Sequence, residues 1–193
     1  NKLKKIQKIK ITNSRVKWIE KLEDIKCGPA IFICNEFFDS LPIKQICKKE
    51  NAFFERHVTL SDCNKKIKFL LKKTSKKLTR SLNELEIKNN KSIIEYPIES
   101  IKYLKIIAKK IKKYNGGLLA FDYGYNRNKI GETLQSVKKH KYQSVFLNPG
   151  NADITSHINF DLFCNILKKN DLDVRKIVNQ NEFLQKMGIV ERA

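Results

Sequence analysis

Two apolar segments of the sequence each run directly into carboxylate and aromatic side chains. AIFIC (30–34) is followed by Asn35, Glu36, Phe37, Phe38 and Asp39, and LLAF (118–121) is followed by Asp122, Tyr123 and Gly124. Acids beside aromatic rings suit a cationic group or a flat ring, because carboxylates pair with cations and ring faces attract them. The competing interpretation is that these acids only cap turns, where Asp and Asn are common.

The elements around these residues predict an α/β domain. AIFIC has no polar side chain, which is typical of a central parallel strand covered by helices on both faces. Apolar positions recur at helical spacing over 98–113, Asn115-Gly116-Gly117 ends that helix, and the apolar run 118–125 reads as a second strand. A strand, a helix and a strand form a right-handed crossover, and ligands bind outside the carboxyl ends of such strands.

Other patterns predict the remaining elements. Residues 43–49 and 52–60 flank a polar turn and predict a β-hairpin, and 16–19 predicts a short strand after an exposed helix end or strand. A helix is expected over 161–169 with Asn159 as its cap, and another near 181–187 closed by Gly188. The lysine-rich stretch 61–92 predicts a surface insertion with one short helix and disorder.

Composition limits the functions that the chain can have. Its 193 residues, 41% hydrophobic, correspond to one folded domain without a membrane span. The formal charge of +20 comes mostly from lysine spread along the chain, whereas nucleic-acid sites concentrate Arg and aromatic residues. Solvated faces therefore explain the charge better than a lysine-rich RNA-binding module. The five cysteines lack a C-x-x-C pair and the three histidines lack ligand spacing, so no metal site is predicted.

Several longer blocks carry a family resemblance. NEFFDSLPIKQ, GGLLAFDYGY, GETLQSVKKHKYQSVFLNPGNADITSHINF and QNEFLQKMGIVERA resemble consecutive blocks of the MidA-type class I methyltransferases, which include the mitochondrial assembly factor of respiratory complex I. The resemblance implies a Rossmann-like, mostly parallel sheet with a β-hairpin insertion and S-adenosyl-L-methionine as cofactor. It also implies an arginine of a protein, in mitochondrial members a complex I subunit, as methyl acceptor.

The resemblance also suggests roles for individual residues. Glu36 would grip the guanidinium and accept its proton, with Asp39 in support and His157 orienting Glu36 or relaying a proton. Asn35 would meet the methionine end of the cofactor, and Trp18 and Glu20 would lie near its adenine. On the substrate side stand Phe37, Phe38, Asp122 and Tyr123. Core packing is an alternative for Trp18 and for one of the phenylalanines, and turn capping for Asp39.

The family's Gly-rich cofactor loop has no counterpart here, since the sequence contains no G-x-G and begins at Asn1 rather than methionine. We therefore expect a C-terminal portion of one methyltransferase domain, with the N-terminal part of the fold missing and no activity alone. The expected compartment is a bacterial cytoplasm or the mitochondrial matrix. A non-catalytic assembly chaperone with the same fold is the alternative.

Overall fold

The computed structural model describes residues 2–61, 66–84, 93–126 and 131–193. The helices are α1 (Lys2–Lys10), α2 (Lys76–Glu84), α3 (Ile98–Tyr114), α4 (Phe160–Lys168), α5 (Gln180–Lys186) and α6 (Ile189–Arg192). The strands are β1 (Ala30–Asn35), β2 (Lys44–Lys49), β3 (Ala52–Leu60), β4 (Ile67–Lys73), β5 (Ile93–Tyr96), β6 (Gly116–Phe121), β7 (Gly124–Tyr125), β8 (Gln135–Lys138), β9 (Lys141–Gln143), β10 (Asp153–Thr155) and β11 (Ile158–Asn159). Within these ranges, no helix is both long enough and apolar enough to cross a membrane.

The predicted crossover is present as β1, α3 and β6. β1 and β6 pair in parallel from Ala30 opposite Gly116 to Asn35 opposite Phe121, so both strands end at the same edge. α3 packs on this pair and buries Leu104 and other apolar side chains at its predicted inward positions. The α/β fold class is confirmed.

Gly116 and Gly117 belong to β6, although the sequence predicts that they only end the preceding helix. Gly116 has φ +134°, and a Cβ at this position would lie 1.9 Å from the carbonyl oxygen of Ala30. The close approach of the β1 backbone therefore requires glycine. Because glycine usually reads as a breaker, the pattern places the start of this strand two residues late.

The prediction that β1 is covered on both faces is wrong for the described residues. Phe32 is buried, but Ile31 and Ile33, which point to the opposite face, are 75% and 70% exposed. Successive side chains of a strand point to opposite faces, so one layer of helix covers only every second residue. An apolar run alone does not distinguish a strand with one covered face from a strand with two.

Antiparallel pairing dominates the larger sheets of the described residues, where the sequence predicts mostly parallel strands. One sheet has the order β4-β3-β2-β5 and another β10-β8-β9, while the parallel pairs are β1–β6 and β11–β7. The predicted hairpin is present as β2 and β3, with Lys49 opposite Ala52. Such a short connection joins antiparallel neighbours, which accounts for the β2–β3 and β8–β9 pairs.

Helix α2 and strand β4 lie inside the stretch predicted as a lysine-rich surface insertion. The one short helix of that prediction is present, but β4 was not predicted, and Leu78 and Leu82 of α2 are buried in the main core. Leucines at i and i+4 of a lysine-rich helix place one apolar face on the sheet and leave the lysines in water. The predicted disorder at 62–65 and 85–92 lies outside the described residues.

Of the remaining predictions, those for the ends of helices α4 and α5 are confirmed and the one for a strand at 16–19 is wrong. Asn159 caps α4, since its side-chain oxygen accepts from the backbone N–H of Leu162 at 3.0 Å. Gly188, with φ +76°, follows α5 as predicted. The short strand predicted at 16–19 is absent, because these residues pair with no other strand of the described chain. Four residues, three of them apolar, carry too little information to specify a strand without a pairing partner.

Candidate active site

Glu36 lies at the carboxyl end of β1, and its side chain makes none of the hydrogen bonds or ion pairs that hold the described residues together. Its backbone N–H donates to the carbonyl oxygen of Phe121 at 2.9 Å, which continues the pairing of β1 with β6 by one residue. Its φ of +45° lies in the left-handed region and turns the chain out of the strand. Over the described ranges, nothing donates a hydrogen bond to its exposed carboxylate or forms an ion pair with it.

Asp122, at the end of β6, is used by the fold. Its Oδ2 accepts from the backbone N–H groups of Phe38 at 2.9 Å and Asp39 at 3.4 Å, and its Oδ1 accepts from that of Tyr123 at 2.9 Å. One carboxylate thus joins the loops that follow the two parallel strands. Burial raises its pKa, the donor at Phe38 lowers it, and the neighbouring Asp39 raises it again.

Asp39 is buried beside these two acids, with 7% of its surface exposed. Burial raises its pKa and the negative charge of Glu36 adds to that rise, while His157 acts in the opposite direction. The carbonyl oxygen of Asp39 accepts from the backbone N–H of Ser156 at 3.0 Å, which brings the His157 segment to this loop. The structure therefore brings Glu36, Asp39, Asp122 and His157 into one cluster.

The aromatic residues near the cluster divide into buried and exposed rings. Phe38 is 1% exposed and packs edge to face on Phe163, with 5.1 Å between ring centroids. Phe37 is half-buried and contacts the rings of both Phe38 and Tyr103. Tyr123 is 63% exposed. Phe38 belongs to the core, whereas Phe37 and Tyr123 leave ring surface at the edge of the site.

Trp18 and Glu20 lie against α1 rather than with the acid cluster. The indole N–H of Trp18 donates to the side-chain oxygen of Gln7 at 3.2 Å, and Glu20 pairs with Lys4 at 3.1 Å. The core alternative does not describe Trp18 either, because these contacts lie on an exposed helix. The contacts of both residues thus give no indication of a ligand.

Sequence reasoning missed two residues behind the cluster, Glu95 and Thr133. Glu95 accepts hydrogen bonds from the N–H groups of Thr133 and Leu134, and the Thr133 hydroxyl accepts from the N–H of His157. A signal was present, since Glu95 is the one acid in the apolar segment IIEY (93–96). An acid within an apolar run suggests a buried partner, but the sequence does not indicate which one.

The polar groups at the strand ends fit one end of S-adenosyl-L-methionine. Asn35 is exposed at the last position of β1, so its side-chain amide is available to hydrogen-bond the amino-acid end of the cofactor. The adenosine end is less well served by the described residues, because Trp18 and Glu20 are engaged on α1. Parallel strand ends are nevertheless where open α/β sheets bind such ligands.

Comparison with known proteins identifies the family. The family model described as "Putative S-adenosyl-L-methionine-dependent methyltransferase" matches residues 1–178, and the chain belongs to this family. The cofactor of the family is S-adenosyl-L-methionine.

Curated relatives include the mitochondrial protein arginine methyltransferase NDUFAF7 homolog of Caenorhabditis elegans, 29% identical over 94% of this chain and 42% of its own length. NDUFAF7 of Homo sapiens is 24% identical over 90% of this chain and 38% of its own length. The chain thus spans about two fifths of the length of these relatives.

The fold agrees with solved structures. A methyltransferase-like protein from Burkholderia thailandensis, bound to S-adenosyl-homocysteine, superposes with a TM-score of 0.73 at 21% identity. The match covers 93% of this chain and 47% of that protein. A second structure of a protein of the same superfamily from that organism gives a TM-score of 0.74. The Rossmann-like class predicted from the sequence is confirmed.

Proposed function

We propose that the chain contributes the acceptor-binding edge of an S-adenosyl-L-methionine-dependent protein arginine methyltransferase. The observation that carries this proposal is the exposed carboxylate of Glu36, which has no partner among the described residues and which the backbone holds at the carboxyl end of a parallel strand, beside the buried Asp39 and the half-buried Asp122. An unpaired acid at this place suits a cationic acceptor. The names of the relatives, which are protein arginine methyltransferases, support arginine as that acceptor.

Glu36 is the group that prepares the acceptor nitrogen. A guanidinium is protonated in water, with a pKa above about 12, so a methyl acceptor must lose a proton during transfer. The Glu36 carboxylate orients the planar guanidinium and takes that proton as the new N–C bond forms. When bound, the cofactor supplies the electrophilic methyl group. On transfer, its sulfur would keep the electron pair of the S–CH3 bond, so that the step balances.

The neighbouring residues position these groups. Asn35 contacts the methionine end of the cofactor, while Trp18 and Glu20 are proposed on its adenosine side. Asp39 and His157 support Glu36 as its charged neighbours, since the charge of Glu36 raises the pKa of Asp39 and His157 lowers it, which places the three groups within electrostatic reach of one another. On the substrate side, the ring surfaces of Phe37 and Tyr123 exclude water, while Phe38 and Asp122 hold the two loops in place behind them.

We further propose a respiratory complex I subunit as the protein substrate, with methylation supporting assembly of the complex. This part of the proposal rests on the resemblance of the NEFFDSLP and PGNADITSH blocks to the family of the mitochondrial assembly factor. The relatives named above are mitochondrial, which supports the matrix as the compartment, and a bacterial cytoplasm is the counterpart for bacterial members.

The test is methyl transfer to arginine by the protein that carries this chain in its natural reading frame. Glu36→Gln removes the charge and the proton acceptor, so transfer should fall about 100-fold or more, as for loss of a general base. Glu50→Gln is the matched control, because Glu50 is also an exposed glutamate with positive φ, at +50°, but lies in the β2–β3 turn.

Binding of S-adenosyl-homocysteine is measured in parallel. We expect equal affinity in wild type and Glu36→Gln, because the carboxylate acts on the acceptor rather than on the cofactor. Full transfer activity in Glu36→Gln contradicts the role of Glu36. Absence of transfer to any arginine by the active wild-type protein contradicts the proposed acceptor.

A further inference from the structure

A hydrogen-bonded chain links the antiparallel sheet to the segment that carries His157. In β5, Oε1 of Glu95 accepts from the backbone N–H groups of Thr133 at 3.0 Å and Leu134 at 2.9 Å. Its Oε2 accepts from the hydroxyl of Thr133. The same hydroxyl oxygen accepts from the backbone N–H of His157 at 2.8 Å. One carboxylate therefore reaches His157 through a single threonine side chain.

Glu95 is itself held in place by the sheet. Gln45, opposite it in β2, donates to Oε1 of Glu95 at 2.9 Å and is only 4% exposed. The side-chain oxygen of Gln45 in turn accepts from Arg56 of β3 at 3.0 Å. Hydrogen bonds to an ionised group are about twice as strong as neutral ones, so several of them fix the carboxylate firmly.

The other side of the His157 segment is bound to the acid cluster. The three consecutive N–H groups of 156–158 donate to the carbonyl oxygen of Asp39, the hydroxyl of Thr133 and the carbonyl oxygen of Tyr123, at 3.0, 2.8 and 2.8 Å. The loops after β1 and β6 therefore hold the two outer amides. The middle amide, that of His157, is held by Thr133 and through it by Glu95 of β5, and we call this pair of residues the anchor. The neighbouring residues are also paired, in β10 and β11, so the anchor is what binds the N–H of His157 itself.

We propose that Glu95 is a positioning residue that, through Thr133, holds the His157 segment against Asp39. Its importance for methyl transfer rests on the proposed function above, whereas the positioning itself is measurable without any transfer. Burial and the negative charge of Glu95 also raise the pKa of Tyr125, so the Glu95 carboxylate also lies close to β7, the strand that follows the end of β6. The antiparallel sheet thereby supports a site that lies on the parallel strands.

Amide hydrogen exchange on the 193-residue chain tests the anchor. Thr133→Val, nearly equal in shape but without the hydroxyl, should speed exchange at the His157 N–H about tenfold, the equivalent of one lost hydrogen bond. Glu95→Gln should act in the same direction, and Thr133→Ser, which keeps the hydroxyl, should stay near wild type. Protection of Leu104 in α3 reports whether each variant is folded.

Glu55→Gln is the matched control. Glu55 is a half-buried glutamate of the same sheet and pairs with Lys44, but has no bond to Thr133 or His157. Its loss should leave exchange at His157 unchanged. Faster exchange at His157 in Glu55→Gln, equal to that in Glu95→Gln, would mean that any weakening of the sheet releases the segment, and would overturn the proposal.

The carboxyl titration of Asp39, followed by carbon-13 NMR, gives the second readout. The charged groups facing Asp39 are Glu36, Asp122 and His157, and of these only His157 lowers its pKa. Thr133→Val changes no charge, so the pKa of Asp39 should rise in this variant and return in Thr133→Ser. An unchanged pKa overturns the proposal whatever the exchange rates. Failure of the proposed function would show instead as transfer by Glu36→Gln.

Discussion

The loops after β1 and β6 follow similar sequence patterns, yet the fold uses their residues in opposite ways. After β1, the aromatic Phe38 is buried, and the acid Glu36 is exposed and has no hydrogen-bond or ion-pair partner within the described ranges. After β6, the acid Asp122 is bound to three backbone N–H groups and the aromatic Tyr123 is 63% exposed. An acid at a strand end can therefore serve the turn or remain available for a ligand, and the backbone donors around it decide which.

The largest difference in the free energy of unfolding should be that between removing the buried ring and removing the exposed one. Phe38→Ala removes a 1% exposed ring that packs on Phe163, and should lower the free energy of unfolding by about 4 kcal/mol through lost burial and the cavity left behind. Tyr123→Ala should change it by less than about 0.5 kcal/mol, as for other exposed sites. Urea unfolding measures both, and equal losses would mean that the two rings are not used differently.

Removing the acids Asp122 and Glu36 should give a somewhat smaller difference in the free energy of unfolding. Asp122→Ala removes the acceptor of three backbone N–H groups and should cost about 3 kcal/mol, since the two bonds of 2.9 Å contribute about 1.5 kcal/mol each and the third, at 3.4 Å, contributes little. Glu36→Ala should cost about 0.5 kcal/mol or less in the same unfolding experiment. A larger loss for Glu36 than for Asp122 would reverse the comparison.

The backbone at Glu36 allows a smaller test. Its φ of +45° is unfavourable for residues with a Cβ, so Glu36→Gly should be more stable than Glu36→Ala by about 1 kcal/mol. The same pair of substitutions at Glu50, with φ +50°, should give a similar difference. Thermal unfolding of the four variants measures it. A Gly variant no more stable than its Ala counterpart at position 36 alone would indicate that this loop is free to change conformation.

The smallest effect is one of pH. Burial holds the pKa of Asp39 above that of the unfolded chain, so the folded state binds its proton more tightly. This contribution to stability is therefore lost as pH rises from the ordinary Asp pKa, about 4, through the raised one. In Asp39→Asn, the unfolding free energy should decline less over this interval, as measured by urea midpoints at several pH values.

Asp171 supplies the opposite case for that measurement. A hydrogen bond from Lys112 lowers the pKa of Asp171, so its contribution is present above the unfolded pKa and lost as pH falls through the folded one. Asp171→Asn should accordingly lose less stability on acidification. If Asp39→Asn instead reduced the loss of unfolding free energy on acidification, as expected for Asp171→Asn, the direction assigned to the pKa of Asp39 would be contradicted.

The sequence predicted the elements whose pattern is local and long. The 17-residue α3 shows one apolar face, the cap at Asn159 needs only the next three residues, and the β2–β3 hairpin closes over a short polar turn. Strand β5 escaped prediction because its four residues gain stability from β2, a partner distant in sequence. The sequence likewise placed Glu36 and Asp122 at one edge, but not which acid meets the backbone donors.

The hydrogen bond from the N–H of Glu36 to Phe121 has a consequence for protein engineering. Because main-chain atoms alone fix position 36, the side chain there can be exchanged without dismantling the loop. A cysteine at this position would carry a fluorescent or spin label directly at the carboxyl edge of the parallel strands. Such a label would report the arrival of a ligand at that edge in a chain whose fold is otherwise unaltered.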